Sequence, residues 1–341
     1  MRGIDAAAMY LPRYRLAAEE IEEAWGTAPR IESAAVPAAD EDAFTMAVAA
    51  AETIFERTEL KRRKIEHICV GTTTPPLEEG MFAPRLGRAL GLGRAVEAAE
   101  HTQSTLAGAE ALSHALDASG PALVAIADCP VGDPAEGQGA GAVAFLVTDD
   151  ARVAVSDKAW HTDEYPGLRY RERGTERIEA LGVTTYERNA TRECVAGAVS
   201  KLTESDFHAA ALHQPDARMP GRIARDLSLD SDAVERGTVV SHLGDAGAAT
   251  VPIGLVRALA GADSDERTLA GFFGSGSAGA AFAFEGSLDV GGLDNVDIPE
   301  GERVSYSTYL RKRGILTTGA VSGGGARVSL PTWRRTLDQR Y

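Results

Sequence analysis

Cysteine is scarce: the chain has three in 341 residues, Cys69, Cys129 and Cys194. No two are spaced as a CxxC or zinc-binding pair, and an odd number argues against a disulfide framework. Lysine is also rare. Only Lys61, Lys64, Lys158, Lys201 and Lys312 stand among 35 basic residues, and 50 acidic residues bring the formal net charge to −15. That balance argues against a surface built for nucleic acid. No apolar run approaches the ~20 residues of a membrane-spanning helix. The opening Met1-Arg-Gly-Ile-Asp5 lacks a signal peptide's apolar core, so the expected location is cytoplasmic. Aromatic residues make up 6%, so the core must rest on Ala, Val, Leu and Ile. An acidic, Lys-poor composition suits solubility in high salt, where repulsion is screened. A GC-rich genome would leave the same bias.

What is present is periodicity. Phe44, Val48, Ala51, Ile54 and Phe55 recur at helical spacing over 42–57, with Asp42 placed to cap the helix. Strands are predicted at 65–70, 95–99, 123–127 and 143–147, with helices at 85–90 and 107–116 between them. The same order returns: a strand at 207–212, a helix around Arg222, a strand at 238–241, then a Gly/Ala-rich helix to Leu259. Arg85-Leu-Gly-Arg-Ala-Leu-Gly-Leu92 matches Arg222-Ile-Ala-Arg-Asp-Leu-Ser-Leu229 at an offset of 137. Gly137-Gln-Gly-Ala-Gly-Ala-Val-Ala-Phe145 matches Gly274-Ser-Gly-Ser-Ala-Gly-Ala-Ala-Phe282 at the same offset. Two matches at one offset indicate an internal duplication: halves 1–150 and 151–316, then a linker and docking tail, 317–341. The literal GxGxxG at 274–279 precedes β-prone Ala-Ala-Phe-Ala-Phe, so a hairpin turn is expected rather than a dinucleotide site.

The duplicated plan resembles the thiolase superfamily. Tyr10-Leu-Pro-Arg-Tyr-Arg15, Asp40-Glu-Asp-Ala-Phe-Thr-Met-Ala47, Val70-Gly-Thr-Thr-Thr-Pro-Pro76, His213-Gln-Pro215 and Tyr306-Ser-Thr-Tyr-Leu-Arg-Lys-Arg-Gly314 resemble its archaeal hydroxymethylglutaryl-CoA synthase and ketoacyl synthase III branch. The resemblance covers about residues 1–316. It implies an α/β fold of duplicated α-β-α-β-α layers with halves related by a pseudo-two-fold axis. It also implies an acyl-CoA-dependent acyltransferase or Claisen-type condensing enzyme that takes a coenzyme A thioester as substrate and needs no metal in this chain.

In that family a cysteine at the start of a buried helix takes the acyl group, a histidine and an asparagine hold the thioester carbonyl, and a glutamate serves as acid and base. Here the histidine falls on His213, and Ser104 or Thr105 occupies the cysteine position, so the implied site is cysteine-free. A hydroxyl needs an adjacent base, for which His101, His213 and His242 are the candidates. For Ser104 a helix cap is the favoured reading over a nucleophile. The asparagine falls near Asp245 and the glutamate near Thr73, with Glu78 and Glu79 following. Arg218 and Arg222 flank the His213 loop, and Arg169, Arg171 and Arg173 lie in a loop with Trp160, Tyr165 and Tyr170. These suit CoA phosphates and adenine, or surface salt bridges.

The family dimerises through a strand of its first half, so a homodimer is expected. Leu330–Tyr341 resembles the lead-in helix of OB-fold, zinc-ribbon companions of archaeal thiolases, which implies such a partner, or a thiolase, and no nucleic acid or membrane. Three of four catalytic identities differ, so a second reading stands beside the enzyme: a degraded thiolase-fold subunit that binds or scaffolds acyl-CoA.

Overall fold

A computed structural model describes residues 1–130, 137–175, 178–290 and 296–316. The first half runs β1 (Gly3–Tyr10), β2 (Tyr14–Ala17), α1 (Ala18–Trp25), β3 (Ser33–Val36), α2 (Ala43–Arg57), β4 (His67–Gly71), α3 (Ala83–Ala89), β5 (Glu97–His101), α4 (Ala107–Asp117), β6 (Ala122–Asp128) and β7 (Gly141–Thr148). The second half runs β8 (Val153–Thr162), α5 (Thr184–Val199), β9 (Ala209–Leu212), α6 (Met219–Leu227), α7 (Ser231–Gly237), α8 (Val240–Leu243), α9 (Thr250–Ala260), β10 (Arg267–Gly274) and β11 (Ala278–Glu285). β12 (Glu302–Arg303) and α10 (Tyr306–Lys312) follow. The predicted tail lies outside the described residues. No helix among those residues is long and apolar enough to cross a membrane.

Local chemistry sets the boundaries. Asp42 accepts from the Thr45 amide at 2.8 Å while Thr45 Oγ1 accepts from the Asp42 amide at 2.8 Å, a reciprocal capping box that starts α2. Strand β6 is buried at every position. Alternate side chains serve opposite faces: Leu123, Ala125 and Ala127 pack with α2, and Val124 and Ile126 pack with α4 and α9. A strand covered on both faces has no polar side to show, hence its continuous apolar run.

Nine strands form one sheet in the order β5-β4-β6-β7-β1-β8-β11-β10-β9. β1 and β8 meet antiparallel, with Gly3 opposite Ala154 and Ile4 opposite Val153. Outward from this junction the halves repeat: two antiparallel pairings, then a parallel one, β7-β6-β4 on one side and β11-β10-β9 on the other. Helices α4 and α9 lie together in the largest core. α2 and α3 cover the far face of the first half, and α5 and α6 that of the second. Phe145 on β7 and Phe282 on β11 hold corresponding, fully buried places, and Arg85 on α3 corresponds to Arg222 on α6. A smaller sheet, β12-β2-β3, closes with α1 and α10 over Leu16, Ile21 and Val36.

Two expectations need correction. The short strand predicted at 95–99 instead spans Glu97–His101, in parallel register with His67–Gly71. The strand predicted at 238–241 is replaced by helix α8. Gln214, fully buried, accepts from the amides of Val239 and Val240 at 2.7 and 3.0 Å, which removes the donors a strand would need. The GxGxxG segment is the β10–β11 hairpin, with Gly274 paired to Ala278.

Phe145→Ala and Phe282→Ala should each lower stability by about 3–5 kcal/mol, the usual cost of emptying a buried phenyl site. Equilibrium unfolding in denaturant measures both, and the duplication predicts similar losses.

Candidate functional site

The two central helices set the site. α4 begins after Ser104-Thr105 and α9 after the Gly244–Ala249 loop. At Gly108 an added Cβ would lie 2.5 Å from the Ala248 carbonyl, so only glycine lets the two helix starts approach this closely. Beneath them, Asp128 ends β6 with no exposure. Its Oδ1 accepts from Thr72 Oγ1, the Thr73 amide, the Thr74 amide and Thr74 Oγ1 at 2.6–3.0 Å. Its Oδ2 accepts from Thr73 Oγ1 at 2.8 Å and the Ala248 amide at 2.7 Å. Burial raises the Asp128 pKa, and the bonds from Ala248, Thr73 and Thr72 oppose that rise. A Cβ on Gly247 would sit 2.2 Å from Oδ2, and its φ of +58° also favours glycine.

A cavity of about 180 Å³ opens beside this clamp, lined by Thr105, Arg169, His213, Arg222, Phe273 and Ser275 among others. It thus unites four of the residues singled out from sequence: Thr105, His213, Arg169 and Arg222. His213 follows β9 and lies against Phe273, ring centroids 5.4 Å apart. Its pKa is pushed down to about 4, first by burial; the positive charge of Arg169 acts the same way, while Asp245 and Asp216 oppose. The imidazole is therefore neutral at pH 7. Thr105 Oγ1 donates to the Phe273 carbonyl at 2.7 Å.

Other sequence-predicted residues lie elsewhere. Ser104 accepts from the Leu106 amide at 3.2 Å, a local turn bond, and is not among the cavity's lining residues. His242 is exposed, with Nδ1 3.4 Å from a Glu32 carboxylate oxygen. Its neighbours on α8, Val240 and Leu243, take the buried face, so His242 points away. His101 faces Glu110 at 3.7 Å and the His114 ring instead of the cavity. Arg218 is exposed, and its amide donates to Asp216. Asp245 is buried behind the wall and pairs through Oδ2 with Arg169 Nη1 at 2.7 Å. Its Oδ1 accepts from the Gly247 amide and Thr250 Oγ1, both at 2.9 Å.

The loop arginines are engaged as well. Arg171 donates to the Thr73 carbonyl at 2.6 Å, and Arg173 meets exposed Glu78 at 3.0 Å. Thr73 itself is tied to Asp128, so no carboxylate stands at that point of the loop. Sequence reasoning missed Asp128, Arg30 and Arg188. Arg30, lining the cavity, pairs with Asp216 at 3.3 Å. The available signal for Asp128 was a lone acid ending the apolar run at 122–127; its threonine partners lie 54–56 residues away in the chain.

Comparison with known proteins identifies relatives of the chain. No family model matches the chain. It is 30% identical over 341 residues to the hydroxymethylglutaryl-CoA synthase of Pyrobaculum neutrophilum, covering 91% of this chain and 97% of that one. It is 30% identical over 310 residues to the Methanopyrus kandleri synthase, covering 83% and 87%. A solved HMG-CoA synthase complexed with CoA superposes with a TM-score of 0.80 at 18% identity, over 91% of this chain and 90% of that one. This last likeness speaks to the fold alone.

The buried His213 should titrate with a midpoint of about 4, read from its imidazole resonances. The unfolded chain takes up that proton near pH 6.5. It therefore binds more protons than the native state across the interval, and stability falls as pH drops from about 6.5 to about 4. Denaturation across this range should show the fall, and His213→Gln should flatten it.

Proposed function

The chain belongs to the hydroxymethylglutaryl-CoA synthase family, and we propose that it is an acyl-CoA-dependent condensing enzyme of that type in which Thr105 stands at the position of the acyl-accepting cysteine. The observation that carries this reading is that Thr105, just before a buried helix, lines one cavity with the neutral His213. Acyl transfer forms a bond between Thr105 Oγ1 and the thioester carbonyl carbon and breaks the carbon–sulfur bond. The hydroxyl proton passes through the imidazole to the departing CoA sulfur. The hydroxyl must first leave the Phe273 carbonyl, and it is a weaker nucleophile than a thiolate. Arg222 and Arg30 on the cavity wall suit the CoA phosphates, with Arg218 outside. The division at 150 and 316, a homodimer, and an OB-fold, zinc-ribbon companion received by the tail complete the proposal.

A second reading has its own support. Thr105 already has an acceptor, and Thr73, at the position of the family glutamate, is bound to Asp128. Those two bonds favour a subunit that holds acyl-CoA without turning it over.

Intact-protein mass spectrometry after incubation with acetyl-CoA separates the two. The enzyme reading expects one acetyl group on the parent, none on Thr105→Ala, and faster labelling of Thr105→Cys, because a thiolate replaces the hydroxyl. Binding of acetyl-CoA with no adduct on either the parent or Thr105→Cys supports the scaffold instead.

A further inference from the structure

Arg169 has a buried nitrogen to spare. Its Nη1 is committed to Asp245, and its backbone amide donates to Ser275 Oγ at 2.8 Å. Its Nη2 is buried and has no hydrogen-bond partner among the described residues, although the side chain lines the cavity with Thr105 and His213. Leaving a buried donor unsatisfied costs about 1–3 kcal/mol, and more for a charged group. Such an atom at a site wall calls for a ligand acceptor.

Asp245 sharpens the point. The resemblance places an asparagine here, whose amide would donate to the thioester oxygen. Asp245 instead accepts from Arg169, Gly247 and Thr250, so its carboxylate is turned wholly to donors and offers none of its own. The missing donor has a replacement one residue away in space, the free N–H of the guanidinium that Asp245 holds.

We propose that Arg169 is a catalytic residue whose Nη2–H donates to the thioester carbonyl oxygen, and that Asp245 is the positioning residue that holds it there. This rests on the acyl-CoA reading above and names how that site receives its substrate. As a nucleophile adds, the carbonyl π electrons move to oxygen. The fixed guanidinium meets that charge without transferring a proton, since arginine stays protonated. An acid in place of an amide is tolerated because its charge is neutralised by the same arginine.

The test is the infrared carbonyl stretch of bound carbonyl-¹³C acetyl-CoA, with calorimetric affinity for CoA, which has no carbonyl, measured alongside. The parent should lower the stretch relative to free acetyl-CoA. Arg169→Gln should lose most of that lowering with CoA affinity unchanged, and Arg169→Lys, which keeps the charge, should keep part of it. Asp245→Ala should also shrink the shift, an effect that a merely structural role would not produce when CoA affinity is retained. In turnover, Arg169→Gln should reduce kcat about 100- to 1000-fold with KM little changed. Removing the guanidinium should also raise the His213 titration midpoint, because its charge now holds that midpoint down. A parent that binds acetyl-CoA with an unshifted carbonyl overturns this proposal and leaves the functional reading standing. So does an Arg169→Gln variant that loses CoA and acetyl-CoA affinity alike, since the guanidinium would then hold a phosphate. A parent that binds no acetyl-CoA overturns the functional reading, and this proposal with it.

Discussion

Asp128 is a carboxylate in the middle of the protein, and six hydrogen bonds from two other chain segments, the threonine run at 72–74 and Ala248, converge on it. Burying such a group without partners costs several kcal/mol even after relaxation. Each bond to a charged acceptor returns about 1.5–3 kcal/mol. The threonine run at 72–74 and the amide of Ala248 are therefore not free to move independently. The first ties the β4 loop to the end of β6, and the second ties the start of α9 to the same point. Because Gly247 is pressed against Asp128, the neighbouring Asp245 is fixed, and with it Arg169.

The charges around the cavity follow from that anchor. Arg169 and Asp245 neutralise one another, and His213, buried against Phe273 and within the field of Arg169, remains neutral. The wall thus combines a neutral imidazole, a cation with an unused donor, and a hydroxyl. This is a different distribution from the one the family resemblance implies, in which an amide donor and a free carboxylate stand at positions now held by Asp245 and Thr73. The changed identities are mutually consistent: an acid at 245 needs Arg169, and a threonine at 73 serves Asp128.

Much of the fold was legible because buried elements leave periodic traces. The 137-residue offset paired Phe145 with Phe282 and Arg85 with Arg222, and the capping box at Asp42 lies within four consecutive residues. The helix at 240–243 was not legible. Its cause is Gln214, 25 and 26 residues away from the amides it binds, and nothing in Thr238-Val-Val-Ser241 records that contact.

The site divides along the same line. The sequence alone determined which residue types stand at the helix start, after β9 and in the glycine loop, because those positions are set by local pattern and by duplication. It marked His213, Thr105, Arg169 and Arg222, all of which line the cavity, and equally His242, Ser104 and Arg218, which do not. Only the tertiary structure decided between the two groups, because that depends on side-chain direction and on partners distant in the chain. Arg169 turns to Asp245, 76 residues on, and His242 turns to Glu32, because hydrogen bonds and ion pairs are satisfied in space and short-range sequence pattern carries no record of them.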